Sequence, residues 1–333
     1  MVGPPPDSWR VPPEKARAFE LAPGVWQLRL PLPWPLIPHV NAYLFEAPDG
    51  PVLVDCGSAG HPSHRAALAA ALQAAGRSVS EIRTLVATHT HSDHVGLAAW
   101  VIEESGCEFL MHPDTAHFYD AMREPARIQA ARRRRARREG VREDDLPFYG
   151  DVREETDGVL APVDPDRPLR DGERVGPWEV LETPGHAPSH ISLVDRERGA
   201  VILGDLLAPV FAPWYDYGYT PDPVAEFLRS LDRVAALGPL GLALPGHGRA
   251  LDDLPRIIED HRRGVAGRLE ATLDAVRAEQ DGAFAITRRV FGDLAPIAMV
   301  WRVTEIACYL RHLRLAGVIT REEDARGYFR YRA

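Results

Sequence analysis

Thr88-His89-Thr90-His91-Ser92-Asp93-His94-Val95-Gly96 is the stretch that decides how this chain folds. Three histidines and an aspartate fall within it, directly after the apolar run Thr84-Leu85-Val86-Ala87. In an extended segment, residues i and i+2 point to the same side, so His89 and His91 present their rings together. Asp93 and His94 follow one step later, where a helix is expected over Val95 to Glu103. Imidazole nitrogens and carboxylate oxygens are the usual ligands of zinc. A cluster of this make-up can hold two metal ions side by side.

Outward from the cluster, single His or Asp residues stand at the ends of expected strands. They are His186 in Thr183-Pro184-Gly185-His186, Asp205 in Leu203-Gly204-Asp205, and His247 in Leu244-Pro245-Gly246-His247-Gly248. A glycine before each lets the backbone turn sharply without a side-chain clash. Each is weak alone, since a Gly-His at a strand end is an ordinary turn. Four separated sites in this order form a joint signal. Earlier in the chain, Asp55 closes the apolar run Val52-Leu53-Val54.

Hydrophobic periodicity supplies the elements between these points. Strands are expected at Val25 to Leu30, Asn41 to Glu46, Val52 to Val54, Thr84 to Ala87 and Glu108 to Met111. More follow near Gly158 to Val163, Glu179 to Glu182, Ser189 to Val194, Ala200 to Leu203 and Gly241 to Leu244. An Ala/Leu-rich helix is expected over His64 to Ala75, and another over Val224 to Leu237. Pro113 to Glu139 reads as a helical excursion interrupted at Pro125. The composition then changes: a charged helix over Leu254 to Glu279, helices over Phe284 to Phe291 and Val300 to Ala316, and a two-stranded wing at Val318 to Thr320 and Tyr328 to Tyr331.

The order HxHxDH, then His, Asp and His, resembles the metallo-β-lactamase superfamily over roughly residues 24 to 250. The resemblance implies an α+β chain: an αββα sandwich with its metal site at one edge. It implies a first metal on His89, His91 and His186, a second on Asp93, His94 and His247, and Asp205 bridging them. Asp93 and Asp205 would be the catalytic carboxylates. Asp55 would orient ligands rather than bind metal. A water shared by two metals is acidic enough to act as hydroxide, which would attack a carboxylic ester or thioester. The last third, with His261-Arg262-Arg263 and Tyr309-Leu310-Arg311-His312-Leu313, resembles the branch carrying a C-terminal winged helix. That branch holds thioesterase-like hydrolases and single-strand endoribonucleases, so a phosphodiesterase on the same metals is the alternative. A mononuclear iron persulfide dioxygenase shares HxHxDH. Flavodiiron-type sites carry Glu where this chain has His91. The expected organisation is a leader over 1–23, the hydrolase domain over 24–250 with a helical insertion at about 113–146, and a linker helix and winged helix over 251–333. Two zinc ions are expected, with iron or manganese also fitting the donors.

Composition narrows the partners. The chain has 333 residues, 45% hydrophobic and 26% charged, with a net charge of −9 that does not favour nucleic acid. Cys56, Cys107 and Cys308 are odd in number and far apart, as in reduced intracellular thiols. No apolar run is long enough to span a bilayer and no signal pattern opens the chain, so a cytoplasmic protein is expected. Lys15 is the only lysine, so Arg-rich stretches reflect a coding bias. Arg132-Arg133-Arg134-Arg135-Ala136-Arg137-Arg138 therefore reads first as a solvated helix face or cap helix, with contact to an anionic group such as a coenzyme A phosphate, or to RNA, as the lesser readings. A winged helix that binds nucleic acid as a regulator is a third reading, but the acidic wing residues Glu322, Glu323 and Asp324 oppose it. The helix more readily packs, covers a pocket or joins a homodimer.

Two further expectations concern the substrate. Phe211, Trp214, Tyr215, Tyr217 and Tyr219 follow a ligand directly and would wall an apolar acyl pocket, with His190 lining the site. A small-molecule thioester fits a centre with no obvious general acid beyond its ligands, because a thiolate leaves without protonation. His61, His64, His112 and His117 carry no expected role, and His261 and His312 are read as structural.

Overall fold

A computed structural model describes residues 17–34, 37–208, 215, 217–279 and 281–333. Phe211 and Trp214 lie outside the described residues. Seven strands form the first sheet in chain order: β1 (Arg17–Ala22), β2 (Val25–Pro31), β3 (His39–Ala47), β4 (Gly50–Val54), β5 (Thr84–Val86), β6 (Glu108–Met111) and β7 (Arg167–Pro168). The second sheet holds β8 (Arg174–Val175), β9 (Trp178–Glu182), β10 (Ile191–Asp195), β11 (Ala200–Gly204) and β12 (Leu242–Pro245). A separate hairpin pairs β13 (Thr320–Glu323) with β14 (Phe329–Arg332).

The helices are α1 (His64–Ala74), α2 (Ser92–Val95), α3 (Ala98–Ser105), α4 (Ala116–Arg123), α5 (Pro125–Arg138), α6 (Leu146–Tyr149), α7 (Arg153–Gly158), α8 (Pro223–Ala235), α9 (Leu254–Glu279), α10 (Ala283–Phe291) and α11 (Pro296–Leu315). The two sheets pack face to face. Val25, Tyr43, Val54 and Val86 of the first meet Trp178, Ile191, Ile202 and Leu244 of the second in one buried cluster. Alternation sends Leu28, Leu30 and Leu44 to the opposite face, against Leu68 and Leu72 of α1 and Val101 of α3. On the far side of the second sheet, Leu203 and Val201 share a core with Phe227 and Leu231 of α8, Ile258 of α9 and Leu310 of α11. Helices therefore cover both outer faces, which gives the αββα sandwich.

Several expected boundaries move. The leader expected over 1–23 ends earlier, because Arg17 to Ala22 pairs as β1 along β2. The helix after the histidine cluster is split into α2 and α3. The chain at Gly96 passes so close to Gly158 that a Cβ at Gly96 would sit 2.4 Å from the Gly158 carbonyl. No strand forms over 158–163: Gly158 closes α7, Leu160 donates to the Gly96 carbonyl, and Pro162 and Pro165 interrupt the run. The first strand of the C-terminal hairpin starts at Thr320, not Val318. The excursion is broken before Pro125, as expected, into α4 and α5.

Residues 251–333 form three helices and the hairpin, and they are not set apart. Ile319, Phe329 and Tyr331 share one apolar cluster with Ala136, Val141 and Leu146 of the helical insertion. His312 contacts Asp222 at 2.9 Å, and Asp222 also caps α8 by accepting from Ala225 N. His261 is buried and bonds the Ile257 carbonyl one turn back. Both histidines are structural. Among the described residues, no helix is long and apolar enough to cross a membrane.

Candidate metal centre

β5 delivers the histidine cluster between the two sheets. The Ile191 amide of β10 donates to the Thr88 carbonyl, and the Cys56 amide donates to the His94 carbonyl, both at 2.8 Å. On the other side, β3 holds the loop after β12. Asn41 Nδ2 and Tyr43 Oη donate to the Pro245 carbonyl at 2.9 Å and 2.6 Å, and the Asn41 amide donates to the Gly246 carbonyl. These cross-sheet ties bring the loop ends that carry the ligands to one edge of the sandwich.

The seven expected ligands converge there. His91 Nδ1 lies 3.1 Å from His89 Nε2 and 3.0 Å from His186 Nε2. His247 Nε2 lies 3.2 Å from Asp93 Oδ2. Asp205 stands between the two groups: its carboxylate is 3.3 Å from His94 Nε2, 3.2 Å from His247 Nε2 and 3.8 Å from His186 Nε2. Donor atoms of His89, His91 and His186 lie within 4.8 Å of one another, and so do those of Asp93, His94 and His247.

Second contacts fix the rings. Asp55 Oδ2 accepts from His94 Nδ1 at 2.8 Å. The same carboxylate accepts from the Thr88 amide and hydroxyl at 2.8 Å and 2.9 Å. With its own proton given to Asp55, the Thr88 hydroxyl accepts from His89 Nδ1 at 3.0 Å. His89 Nε2 is thereby left bare toward the centre. His247 Nδ1 donates to the His39 carbonyl at 2.8 Å. Among the described residues, Asp55 is the only non-glycine with positive φ, at 60°, a conformation that Asp tolerates better than most.

The electrostatics fit a cation. Burial, reinforced by His94 and His91, holds the His89 imidazole well below its ordinary pKa, so it stays neutral, as a ligand must. Burial opposes charge on His94 and on Asp205, yet each stabilises the other: His94 is raised by Asp205 and Asp93, and Asp205 is held far down by His247 and His94. His94 Nε2 and Asp205 Oδ1 are buried and, apart from their own 3.3 Å approach, have no hydrogen-bond partner among the described residues. Orphaned polar atoms in a closed site are what metal ligation would satisfy. The residues present fit divalent metal at both positions.

Other expected site residues fall elsewhere. His190 is fully buried. Its Nδ1 donates to Thr183 Oγ1 and its Nε2 accepts from the Asp205 amide at 3.0 Å. It holds the Asp205 backbone from behind, with its ring 5.1 Å from that of His89. Tyr215 is a core residue, packed edge-on against Phe227 and Tyr309 with its hydroxyl 3.4 Å from that of Tyr309. A buried Tyr hydroxyl needs such a partner. Tyr217 is half-buried under the insertion, its carbonyl accepting from Arg135 and its ring facing that guanidinium. Of the three described aromatics of this loop, Tyr219, 39% exposed, is the one that faces the site side, with its ring 5.9 Å from His117.

His117, given no role from sequence, approaches the centre from α4. Its ring lies 6.2 Å from that of His91, and its Nε2 accepts from the Thr90 hydroxyl at 2.7 Å. No local motif marks it, because the contact depends on how α4 folds back. Arg133, Arg134, Arg137 and Arg138 of the arginine run are exposed, and three arginines of the run also pair with carboxylates. Arg132 binds Glu155 and the Asp151 carbonyl, Arg137 binds Glu143 at 2.7 Å, and Arg138 binds Glu323.

The fold and site together define a metal-dependent hydrolase. The sequence profile described as the metallo-beta-lactamase superfamily matches residues 38–247, and the chain belongs to that family. It is 26% identical to the probable metallo-hydrolase YqjP of Bacillus subtilis, over 88% of this chain and 93% of that protein. It is 29% identical to a metallo-beta-lactamase family protein of Thermus thermophilus, with a TM-score of 0.79 over 94% of this chain and 99% of that one. A beta-lactamase domain protein of Burkholderia ambifaria is similar too, at 27% identity and a TM-score of 0.79, over 95% of this chain and 93% of the other.

Proposed function

We propose that the chain is a dinuclear hydrolase of carboxylic esters, acyl thioesters above all, with zinc at both positions. The observation that carries the reading is the place of Asp205, in reach of His94, His186 and His247 at once. Bound there, two divalent ions would acidify a water and polarise the carbonyl of the substrate. The chain's own residues prepare that chemistry. Thr88 and Asp55 fix the tautomers of His89 and His94, and the His39 carbonyl fixes that of His247. His190 holds the Asp205 backbone. His117 does not serve as a free acid, since Nδ1 is spent on the Asp114 carbonyl and Nε2 on Thr90. A leaving group that departs as thiolate suits such a site.

The engagement of Arg132, Arg137 and Arg138 with Glu155, Glu143 and Glu323 supports a bracing insertion rather than a nucleic-acid track. A panel of acyl thioesters, lactones, β-lactams, a phosphodiester and single-stranded RNA tests the reading. Thioester and ester turnover should exceed the rest. RNA cleavage with no ester turnover would sink the proposal.

A further inference from the structure

We propose that Arg17, Arg29 and Arg249 form a binding site for an anionic group of the substrate, a carboxylate or phosphate, beside the metal centre. The inference rests on the ester-hydrolase reading and names the substrate class: esters or thioesters with an acidic group set back from the scissile bond.

The placement follows from strand geometry. Val25, Gln27 and Arg29 alternate onto one face of β2. Val25 lies in the core between the sheets, and Gln27 reaches the Gly248 carbonyl at 3.5 Å. Arg29 is the next residue along that face. Antiparallel pairing sets Arg17 of β1 directly opposite Arg29. Arg249 comes two residues after His247, on the same loop as Gly248. His39 joins the cluster to the metal centre: its carbonyl accepts from His247 Nδ1, and its ring accepts from Arg29 Nη2 at 2.8 Å. Arg29 and the ligand His247 are thus held by one residue.

Among the described residues the charge there is uncompensated. No described carboxylate makes an ion pair with any of the three arginines, whereas Arg132, Arg137 and Arg138 of the insertion are each paired. Burial, then Arg17 and Arg249, weakens the hold of the Arg29 guanidinium on its proton. Gathering like charges around a half-buried guanidinium opposes stability unless an anion completes the set. The planar fork of Arg matches carboxylate and phosphate oxygens in pairs. The His39 ring accepts from Arg29 and so does not compete for the anion.

The test compares mono-4-nitrophenyl succinate with the neutral 4-nitrophenyl pentanoate, and titrates inorganic phosphate calorimetrically into the metal-loaded protein. Arg29→Gln should lower the anionic-to-neutral ratio of kcat/KM about tenfold, through KM, and weaken phosphate binding by a similar factor. Arg249→Gln, on an exposed loop, should move both in the same direction. That variant guards against a folding defect at Arg29. A phosphate-bearing ester of the same length shows which anion gains more. An unchanged ratio and unchanged phosphate affinity in both variants would overturn the site, since phosphate would then be held by metal alone. If no ester is turned over, phosphate affinity still decides: its loss in the variants keeps the anion site and overturns the ester reading.

Discussion

Asp55 Oδ2 accepts a 2.8 Å hydrogen bond from His94 Nδ1, and the same carboxylate holds the amide and hydroxyl of Thr88. One side chain therefore sets the tautomer of one ligand directly and of a second, His89, through Thr88. Both its partners are buried. Asp55→Asn keeps the shape and tolerates the same left-handed backbone. It offers one acceptor oxygen where three donors converge, so one ring must turn or lose its partner. Metal affinity should fall about 10- to 100-fold, the usual cost of such outer contacts. Competition with a chromophoric chelator measures it, and an affinity within twofold of wild type would contradict the assignment.

Gly246 is placed where no side chain fits. A Cβ there would stand 2.1 Å from Asp205 Oδ1 and 2.9 Å from His94 Cε1. Gly246→Ala should displace the Asp205 carboxylate while leaving the sheets paired. Turnover should drop at least about 100-fold, as when a positioned catalytic group moves by an ångström. Far-ultraviolet circular dichroism should stay as in wild type. Full activity in this variant would show that Asp205 is not held against β12 as described.

Glu139 is buried at the junction of the insertion and the C-terminal hairpin. Tyr331 Oη donates to it at 3.0 Å, and the Ala283 amide at 3.3 Å. Burial, only partly offset by these donors, pushes its carboxyl up to about 6 from an ordinary 4.5. With the folded value above the unfolded one, the folded state binds more protons between these values. The contribution of Glu139 is therefore fully present below pH 4.5 and is lost as pH rises through 6. The loss is roughly 2 kcal/mol. Urea unfolding at pH 4.5 and 7.5 should show that slope in wild type, and Glu139→Gln should lack it. Identical slopes in the two proteins would refute the claim.

How much of this was legible in the sequence follows from where each residue's role is decided. Of the candidate ligands, His89, His91, Asp93 and His94 form one local motif after β5, and His186, Asp205 and His247 each follow a glycine at or just past the end of a later strand, so local pattern and chain order reveal them. Asp55 was legible for the same reason. The contact of His190 with the Asp205 amide, 15 residues on, was not legible, because only the hairpin register brings the two together. Tyr215 satisfies a core as well as a pocket, and apolar character alone does not choose between them. The brace from Glu139 to Tyr331 joins residues 192 apart, a contact no periodicity encodes. The specific partners of the arginine run at Glu155, Glu143 and Glu323 depend on how the insertion folds back.

Metal content and thioester turnover, measured together on wild type and Asp205→Ala, test the central claim most directly. The two-metal account predicts about two zinc ions per wild-type chain. It predicts that Asp205→Ala keeps its fold, binds at most about one ion tightly, and loses thioester hydrolysis. One ion per wild-type chain, or a variant that hydrolyses thioesters at the wild-type rate, would contradict it.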